Sequence, residues 1–183
     1  NHCGISPSNA SSVVVYWNFQ NTFCRQPGSS ASGSNGNGPL NQFNSGAIYR
    51  PGNGATDFNL IEPDDPVSAS PVPFFAGWNR TSATPGSAVG IHHPSVSEKR
   101  ISFELNPTST TSAYQDTGPG DGNYIRVADW DFGTTEPGSS GSPLFNSNGQ
   151  IVGQLLGGSA ACGNNLPDWY GRVSKSWSGG GSS

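Results

Sequence analysis

The sequence predicts an all-β fold, in which tight turns connect short strands. The 183 residues include 26 Gly and 15 Pro, which interrupt the chain too often for long helices. The apolar segments are short, contain many β-branched and aromatic residues, and end at Gly, Pro, Asn or Asp. With 32% hydrophobic residues, the chain can form one sizeable core or two small ones.

Nine segments have the composition of strands, and none has the pattern of a convincing helix. In chain order the predicted strands are SSVVVYWNF (11–19), TDFNLIE (56–62), FFAGWNR (74–80), SAVGIHH (87–93), KRISFEL (99–105), NYIRVADW (123–130), SPLFN (142–146), QIVGQLL (150–156) and YGRVSKSW (170–177). Trp17, Trp78 and Trp130 lie within these segments. We therefore expect them to be core aromatics.

Two segments between the predicted strands lack strand patterning. Residues 26–42 form a long polar insertion rich in Gly, Ser and Asn. Residues 62–73, EPDDPVSASPVP, are rich in proline and predict a boundary between two subdomains. We place the first subdomain at residues 1–66 and the second at residues 67–183.

The charge pattern excludes several classes of partner. The net charge is -4 with only 8 Lys and Arg residues, so no basic patch is predicted for nucleic acid or an anionic membrane. The sequence contains no run of about 18 apolar residues, which is the length that a helix needs to span a bilayer. His92 and His93 are adjacent in a predicted strand and face opposite sides, so they are poor joint metal ligands. We expect no metal or cofactor, and the low charge suggests a secreted protein.

The segment EPGSSGSPLF, residues 136–145, is either a flexible surface loop or a turn that presents a reactive serine. Its composition alone favours the loop. Gly138 and Gly141 flank Ser139 and Ser140, however, and glycine permits backbone angles that turn successive N–H groups toward one point. Such a turn can form an oxyanion hole beside a serine nucleophile.

A serine nucleophile also needs a base and a group that orients the base. His2 is one of three histidines and lies beside Cys3. Asp57 precedes the apolar run FNLI, which places its carboxylate at the edge of a core. These two residues are therefore the candidates for the two roles.

Three motifs resemble those of the trypsin-like serine proteases. NHCG is similar to the end of the family's Thr-Ala-Ala-His-Cys motif, TDFNLI to its aspartate segment, and GSSGSP to its Gly-Asp-Ser-Gly-Gly-Pro motif. They occur in the family's order, with 55 residues from His2 to Asp57 and 83 from Asp57 to Ser140. SSVVVYWNFQNTFCR, GIHHPSVSEKRIS, IVGQLLGG and DWYGRVSKSWSGGG further resemble bacterial lysyl endopeptidases. The resemblance covers nearly the whole chain.

This resemblance implies a double β-barrel, with the active site between the barrels, and secretion as a precursor. It implies that His2 is the general base, that Asp57 orients it, and that Ser140 forms the acyl-enzyme. The backbone N–H groups of Gly138 and Ser140 would hold the oxyanion, and Ser139 would be a spacer. A relative of the same fold that only binds or adheres is the alternative, although an intact His, Asp and Ser set argues against it.

Specificity is also implied by the resemblance. Trypsin places an acid six residues before its serine, and Thr134 occupies that position here. Lysyl endopeptidases instead use an aspartate after the Gly-Gly segment, which corresponds to Asp168. Leu156 and Gly157 would line the same pocket, although Leu156 replaces a histidine of the best-known relatives, and Tyr114 would stand nearby. We expect cleavage of proteins or peptides after Lys, or less readily after Arg.

The resemblance further implies that the chain lacks the opening strands of the first barrel and the closing helix. The family's cysteines that correspond to Cys3, Cys24 and Cys162 each pair with a cysteine of the opening segment. We therefore expect free thiols or links to another chain, such as a separate N-terminal segment that completes the barrel. We also expect these 183 residues alone to be inactive or nearly so.

Overall fold

The computed structural model describes residues 1–26, 28–32 and 34–178, and its principal elements are eleven strands and one short helix within these ranges. The strands are β1 (Val14–Tyr16), β2 (Phe43–Ser45), β3 (Ala47–Asn53), β4 (Phe58–Pro63), β5 (Ala88–His92), β6 (Arg100–Glu104), β7 (Ser109–Thr111), β8 (Tyr124–Val127), β9 (Pro143–Phe145), β10 (Ile151–Gly158) and β11 (Asp168–Arg172). Helix α1 (Val173–Ser178) follows β11 directly. The predicted all-β fold class is confirmed.

The strands form three antiparallel sheets. Strands β1 and β2 pair with each other, and so do β3 and β4. The third sheet has seven strands in the order β6-β5-β9-β10-β11-β8-β7. Strand β11 lies between β10 and β8 in this sheet, and all five of its residues are buried. The large sheet therefore contains every described strand of the chain from β5 onward.

The main hydrophobic core belongs to the seven-stranded sheet. Its buried members are Ala88, Ile125, Val127, Trp130, Leu144, Val152, Leu155, Ala160 and Tyr170. Burial of each larger aliphatic side chain contributes about 1.5–3 kcal/mol to folding. This core lies beneath β9 and β10, the two strands that follow the Gly and Ser-rich segment.

Two predicted strands differ from the structure. Residues 74–80 form no strand and meet the large sheet only at an isolated bridge between Trp78 and Ile151, because β10 is already paired with β9 and β11. Trp78 is exposed rather than in the core, and its ring stacks on that of Trp177. Trp130 is buried, as predicted. The predicted strand at 170–177 ends at Arg172, where helix α1 begins.

Three strands escaped prediction, namely β2, β3 and β7. Strand β3 contains Pro51 and Gly52, which indicate a turn in the sequence. The structure accommodates them where the β3–β4 register shifts between Tyr49 and Gly52. Strand β7 has the polar sequence STT and pairs with β8 along the edge of the large sheet.

The predicted subdomain boundary between residues 66 and 67 falls in the connection from β4 to β5, and it stays a prediction. Strands β1 to β4 precede it and the seven-stranded sheet follows it. In the described part of the chain, no helix has the length and apolar character needed to cross a membrane.

Candidate active site

Asp57 and His2 are in direct contact. The His2 backbone N–H donates to Asp57 Oδ1 at 2.7 Å, and the ring Nδ1 contacts Asp57 Oδ2. Asp57 is 8% exposed, whereas the His2 side chain is 41% exposed. The contact engages Nδ1, so the second ring nitrogen, Nε2, is left for another partner.

Asp57 ends a tight turn that we name the aspartate turn, residues 54–57. The turn is a short 3₁₀ helix, Gly54–Thr56, and the Asn53 side chain caps it by accepting from Ala55 N at 3.0 Å. Asp57 itself has φ 57°, a left-handed conformation that residues other than glycine rarely adopt. Surrounding contacts must therefore hold this turn in place.

The seven-stranded sheet and helix α1 supply those contacts at Thr56. Gln154 Nε2 donates to Thr56 O at 2.8 Å, and the Thr56 and Ser176 hydroxyls are 2.8 Å apart in a buried position. Gly171 permits this close approach, because a Cβ built on it would lie 1.9 Å from Thr56 O. Residues from two distant parts of the chain therefore fix the backbone next to Asp57.

A second pair of side chains holds the preceding residue. Asn123 Nδ2 and Tyr124 Oη both donate to Ala55 O at 3.0 Å. Both donors come from the start of β8 and the residue before it. The aspartate turn is thus connected to the seven-stranded sheet by a set of hydrogen bonds that we name the clamp, formed by Asn123, Tyr124, Gln154 and Ser176.

Residues 136–142 form a compact turn, which we name the serine turn. Ser139 N donates to Glu136 O at 3.0 Å, and Ser142 N donates to Ser139 O at 3.1 Å. Gly138 and Gly141 have φ 94° and 81°, the left-handed region that favours glycine. The segment is therefore a structured turn and not an open loop.

Strand β10 and residues 93–96 pack against the serine turn. Gly141 N donates to Leu155 O at 2.8 Å, and Leu155 N donates to Ser142 O at 2.9 Å. A Cβ on Gly138 would lie 2.9 Å from Val96 N, so this position has no room for a side chain. Among the described residues, no acceptor takes a hydrogen bond from the N–H of Gly138 or Ser140. Those two donors are available to a ligand.

Ser140 and Asp57 line the same cavity, which has a volume of about 470 Å³. Gln154 of the clamp also lines it. His2 contacts Asp57, but among the described contacts no hydrogen bond joins His2 to Ser140. The structure therefore brings His2 to Asp57 and places Ser140 on the same cavity, while the catalytic roles of the three remain predictions.

Ser139 is more than a spacer. It is 1% exposed, and its hydroxyl is 2.9 Å from Nδ1 of His92, which is also 1% exposed. His93 points elsewhere: its Nδ1 is 2.8 Å from Ser97 O, and its ring stacks on Phe19. Among the described residues, no group of three His, Cys, Asp or Glu side chains could hold a metal ion.

Asp168 is a buried carboxylate at the first position of β11. It is 1% exposed, and its Oδ2 accepts from Trp130 Nε1 at 2.8 Å and from Thr135 Oγ1 at 2.7 Å. Burial raises the pKa of Asp168, and these two hydrogen bonds oppose that rise. No described donor contacts the other oxygen, Oδ1. One carboxylate oxygen is therefore held by the protein, and the other has no described hydrogen-bond donor.

The two residues predicted to share a pocket with Asp168 lie near it along β10. Gly157 pairs with Trp169 and Gly158 pairs with Asp168 across the β10–β11 ladder. A Cβ on Gly157 would lie 3.3 Å from Tyr114 Oη, and the Tyr114 ring meets Trp169 edge-on at 5.7 Å. Leu156 is half-buried in the same strand. The expected position of Tyr114 near this region agrees with these contacts.

The three cysteines, Cys3, Cys24 and Cys162, are exposed and form no disulfide with one another. Pairing with cysteines of another chain stays a prediction. The Cys162 backbone N–H donates to Glu136 Oε1 at 2.6 Å, which ties the Cys162 loop to the start of the serine turn.

Comparison with known families identifies the chain. The family model for "Lysyl endopeptidase, C-terminal domain" matches residues 1–171. The chain belongs to this family. The resemblance seen in the sequence motifs is thereby confirmed at the level of the family.

Two solved structures of the Rv3671c protease from M. tuberculosis are also similar to this lysyl endopeptidase family member. One is an inactive serine-to-alanine mutant, and the other is the active form. Each is 17% identical, covers 72% of this chain and has a TM-score of 0.47. This chain covers 61% of the mutant and 58% of the active form. The chain thus spans about six tenths of the length of these proteases.

Sequence reasoning missed the residues that support the site in this family member. Gln154 contacts Thr56 from 98 residues away in sequence, and Ser176 from 120 residues away. No local sequence pattern predicts either contact. The sequence indicated no role for His92 other than that of a poor metal ligand. The predicted strand correctly indicated that His92 and His93 face opposite sides. It did not indicate the contact between His92 and Ser139.

Proposed function

We propose that this protein is a secreted serine endopeptidase that cleaves peptide bonds after basic residues, preferentially lysine. Membership of a lysyl endopeptidase family supports a protease. The observation that carries the proposal is the contact between Asp57 and the His2 ring on the cavity that Ser140 also lines. The low content of charged residues is in keeping with secretion.

In the proposed reaction, Ser140 Oγ attacks the scissile carbonyl carbon, and His2 Nε2 accepts the hydroxyl proton. The same imidazolium then gives that proton to the leaving amine as the peptide bond breaks, which leaves an acyl-enzyme. Water repeats the sequence and releases the acid. Asp57 contacts Nδ1 throughout, so it keeps the imidazole in the tautomer whose Nε2 is free and stabilises the imidazolium.

The tetrahedral intermediate carries a negative oxygen that needs donors. The N–H groups of Gly138 and Ser140 have no described acceptor. The two residues are separated by Ser139 in a tight turn, in which Gly138 has a left-handed backbone. We assign them to the oxyanion. In related enzymes, removal of one such donor raises the barrier by about 3–4 kcal/mol.

Asp168 is the proposed receptor for the substrate's basic side chain. Its free Oδ1 would accept a charge-assisted hydrogen bond from a lysine ammonium, while Trp130 and Thr135 hold Oδ2. Gly158 packs against Oδ1 closely enough that a Cβ there would lie 2.3 Å from that oxygen, so a larger residue would obstruct it. Leu156 and Gly157 form the proposed wall, with Tyr114 opposite Gly157.

The test uses the longer protein that the resemblance implies, in which the opening strands of the first barrel are present, with the 183 residues alone as a second sample. The substrates are peptide amides that end in Lys, Arg or Phe. We expect turnover after Lys to exceed that after Arg, with Phe far below both. Ser140→Ala should abolish turnover, a loss of about a million-fold in kcat. Asp168→Asn should reduce kcat/KM for the Lys substrate by about 100-fold or more and leave that for Phe unchanged.

Each part of the proposal has its own contradicting result. Turnover that survives Ser140→Ala would remove Ser140 as the nucleophile. Equal cleavage after Phe and Lys would remove Asp168 as the specificity residue. Absence of turnover in the unmodified longer protein would favour the binding or adhesion relative.

A further inference from the structure

His92 lies directly behind the serine turn and has no role in the proposed triad. Its ring bridges two buried hydroxyls, with Nδ1 2.9 Å from Ser139 Oγ and Nε2 3.0 Å from Ser102 Oγ. All three side chains are at most 1% exposed. Water therefore does not compete for these polar groups, so each must find its partner within the protein.

The neighbouring contacts give this bridge a direction. The Ser102 hydroxyl donates its single proton to Thr134 O at 3.2 Å, so Ser102 Oγ accepts from His92 Nε2–H. Nδ1 is then the acceptor of a hydrogen bond that the Ser139 hydroxyl donates. Ser139 Oγ in turn accepts from Glu136 N–H at 3.4 Å. In this arrangement every hydroxyl proton and both ring nitrogens are paired.

The opposite tautomer does not satisfy the same groups. If Nδ1 carried the proton, Ser139 Oγ would accept from both His92 and Glu136, and no described acceptor would remain for its own proton. An unpaired buried hydroxyl costs about 1–3 kcal/mol. Burial, together with the smaller effects of the charges of His93 and Arg100, lowers the pKa of His92 to about 4, so the ring is neutral near pH 7.

Ser139 stands between the two proposed oxyanion donors, Gly138 and Ser140. With φ 94° at Gly138 and 81° at Gly141, the turn contains two glycines that have many other accessible conformations. A fixed Ser139 side chain removes much of that freedom from the residue in the middle. Its hydroxyl is anchored to β5 through His92, and to β6 through His92 and Ser102.

We propose that His92, as the Nε2–H tautomer, is a positioning residue that holds Ser139 and thereby keeps the N–H groups of Gly138 and Ser140 aimed at the oxyanion. This inference rests on the proposed function, because it gives His92 a part in the same reaction. His92 acts through Ser139 and touches no substrate. A displacement of about 1 Å in such a site lowers the rate about 100-fold.

The kinetic test compares Ser139→Ala with Ser142→Ala in the same longer protein that tests the proposed function. Both serines belong to the serine turn, but the buried Ser142 hydroxyl has no described partner, which makes it the matched control. With a Lys peptide amide, we expect Ser139→Ala to lower kcat about 100-fold and to leave KM nearly unchanged. Ser142→Ala should retain the unmodified kcat. Equal kcat values for the two variants would overturn the inference.

A second measurement does not depend on activity. Nitrogen-15 NMR of the His92 ring at pH 7 should show a protonated Nε2 and an unprotonated Nδ1. The Nδ1–H tautomer would overturn the proposed direction of the bridge. The double variant His92→Phe with Ser139→Ala should be no slower than His92→Phe alone, since each substitution removes the same hydrogen bond between His92 and Ser139. Additive losses would contradict this.

The Ser140→Ala protein separates this inference from the proposed function. If unmodified turnover does not depend on Ser140, the proposed function fails, and the positioning role fails with it even where the NMR tautomer is as expected. If turnover depends on Ser140 but Ser139→Ala behaves like Ser142→Ala, the proposed function stands and only the positioning role is wrong.

Discussion

The aspartate turn and the serine turn reach the same cavity with different backbones. Asp57 adopts φ 57° without being glycine, whereas the serine turn places glycines at its two left-handed positions, Gly138 and Gly141. The aspartate turn is held from outside, by clamp residues of the seven-stranded sheet and helix α1. The serine turn is held by strands β5, β6 and β10 of the same sheet that it belongs to.

This difference shows two ways to stabilise an unfavourable conformation. A left-handed residue other than glycine costs about 1–2 kcal/mol, and each hydrogen bond of the clamp contributes about 1 kcal/mol. The strain at Asp57 is thus offset only when the β3–β4 sheet, the large sheet and helix α1 are together. The serine turn needs less support because glycine removes most of the strain.

The largest effect is expected at the aspartate turn. Asp57→Asn should lower kcat about 10⁴-fold, because an amide can stabilise the wrong His2 tautomer and cannot stabilise the imidazolium. Steady-state kinetics with a Lys peptide amide measure this. A change of less than tenfold would contradict the assignment of Asp57.

Within the serine turn, the two glycines should respond unequally. Gly138→Ala adds a Cβ 2.9 Å from Val96 N, whereas Gly141→Ala meets nothing within 4 Å. Gly141→Ala should therefore lose only the backbone term, about 1–2 kcal/mol. Gly138→Ala should lose a further 1–3 kcal/mol or so from overpacking. Urea unfolding of both variants checks the order, and equal losses would count against the packing of residues 93–96 on this turn.

The contact between the aspartate turn and β11 can be tested at Gly171, a glycine that is required by close packing and not by a left-handed backbone. Gly171→Ala places a Cβ 1.9 Å from Thr56 O and should destabilise the protein by about 1–3 kcal/mol. The exposed Gly77 has nothing within 4 Å of its built Cβ, so Gly77→Ala is the control and should be close to neutral. Unfolding and kcat are measured together. A Gly171→Ala protein of unchanged stability would show that the aspartate turn does not lie against β11.

The smallest effect concerns the pH dependence set by Asp168. Burial raises its pKa in the folded state, so the folded protein binds its proton more tightly than the unfolded chain does. Stability from this group is present in acid and is lost as pH rises through the raised pKa. Unfolding midpoints of the unmodified protein and of Asp168→Asn are measured at about pH 4 and pH 7. From the lower to the higher pH, the unmodified protein should lose stability relative to the variant. The reverse trend would contradict a dominant effect of burial.

The composition of residues 136–145 favoured a loop, and only the pattern of its glycines together with His2 and Asp57 indicated the serine turn. Gly138 and Gly141 are the residues that the left-handed positions require, and they lie next to Ser140. The apolar run of β10 was likewise found, since eight consecutive residues of one strand carry the pattern. The Asp57 carboxylate was correctly placed at the start of a strand.

The supports of both turns could not be predicted, because they join residues far apart in sequence. Ser139 and His92 are 47 residues apart, and Gln154 and Thr56 are 98 apart. Composition also misled at residues 74–80, where aromatic residues predicted a strand. Phe74 is 90% exposed and Phe75 is 71% exposed, which shows that strand propensity without a partner sheet does not make a strand.

The central claim is that the serine turn presents Ser140 as an activated nucleophile. Reaction of the longer protein, with the opening strands of the first barrel present, with a fluorophosphonate tests it most directly. Peptide mass spectrometry should find a single covalent adduct, on Ser140. Ser140→Ala should abolish it, while Ser142→Ala should leave it intact. An adduct on another serine, or no adduct on Ser140, would contradict the claim.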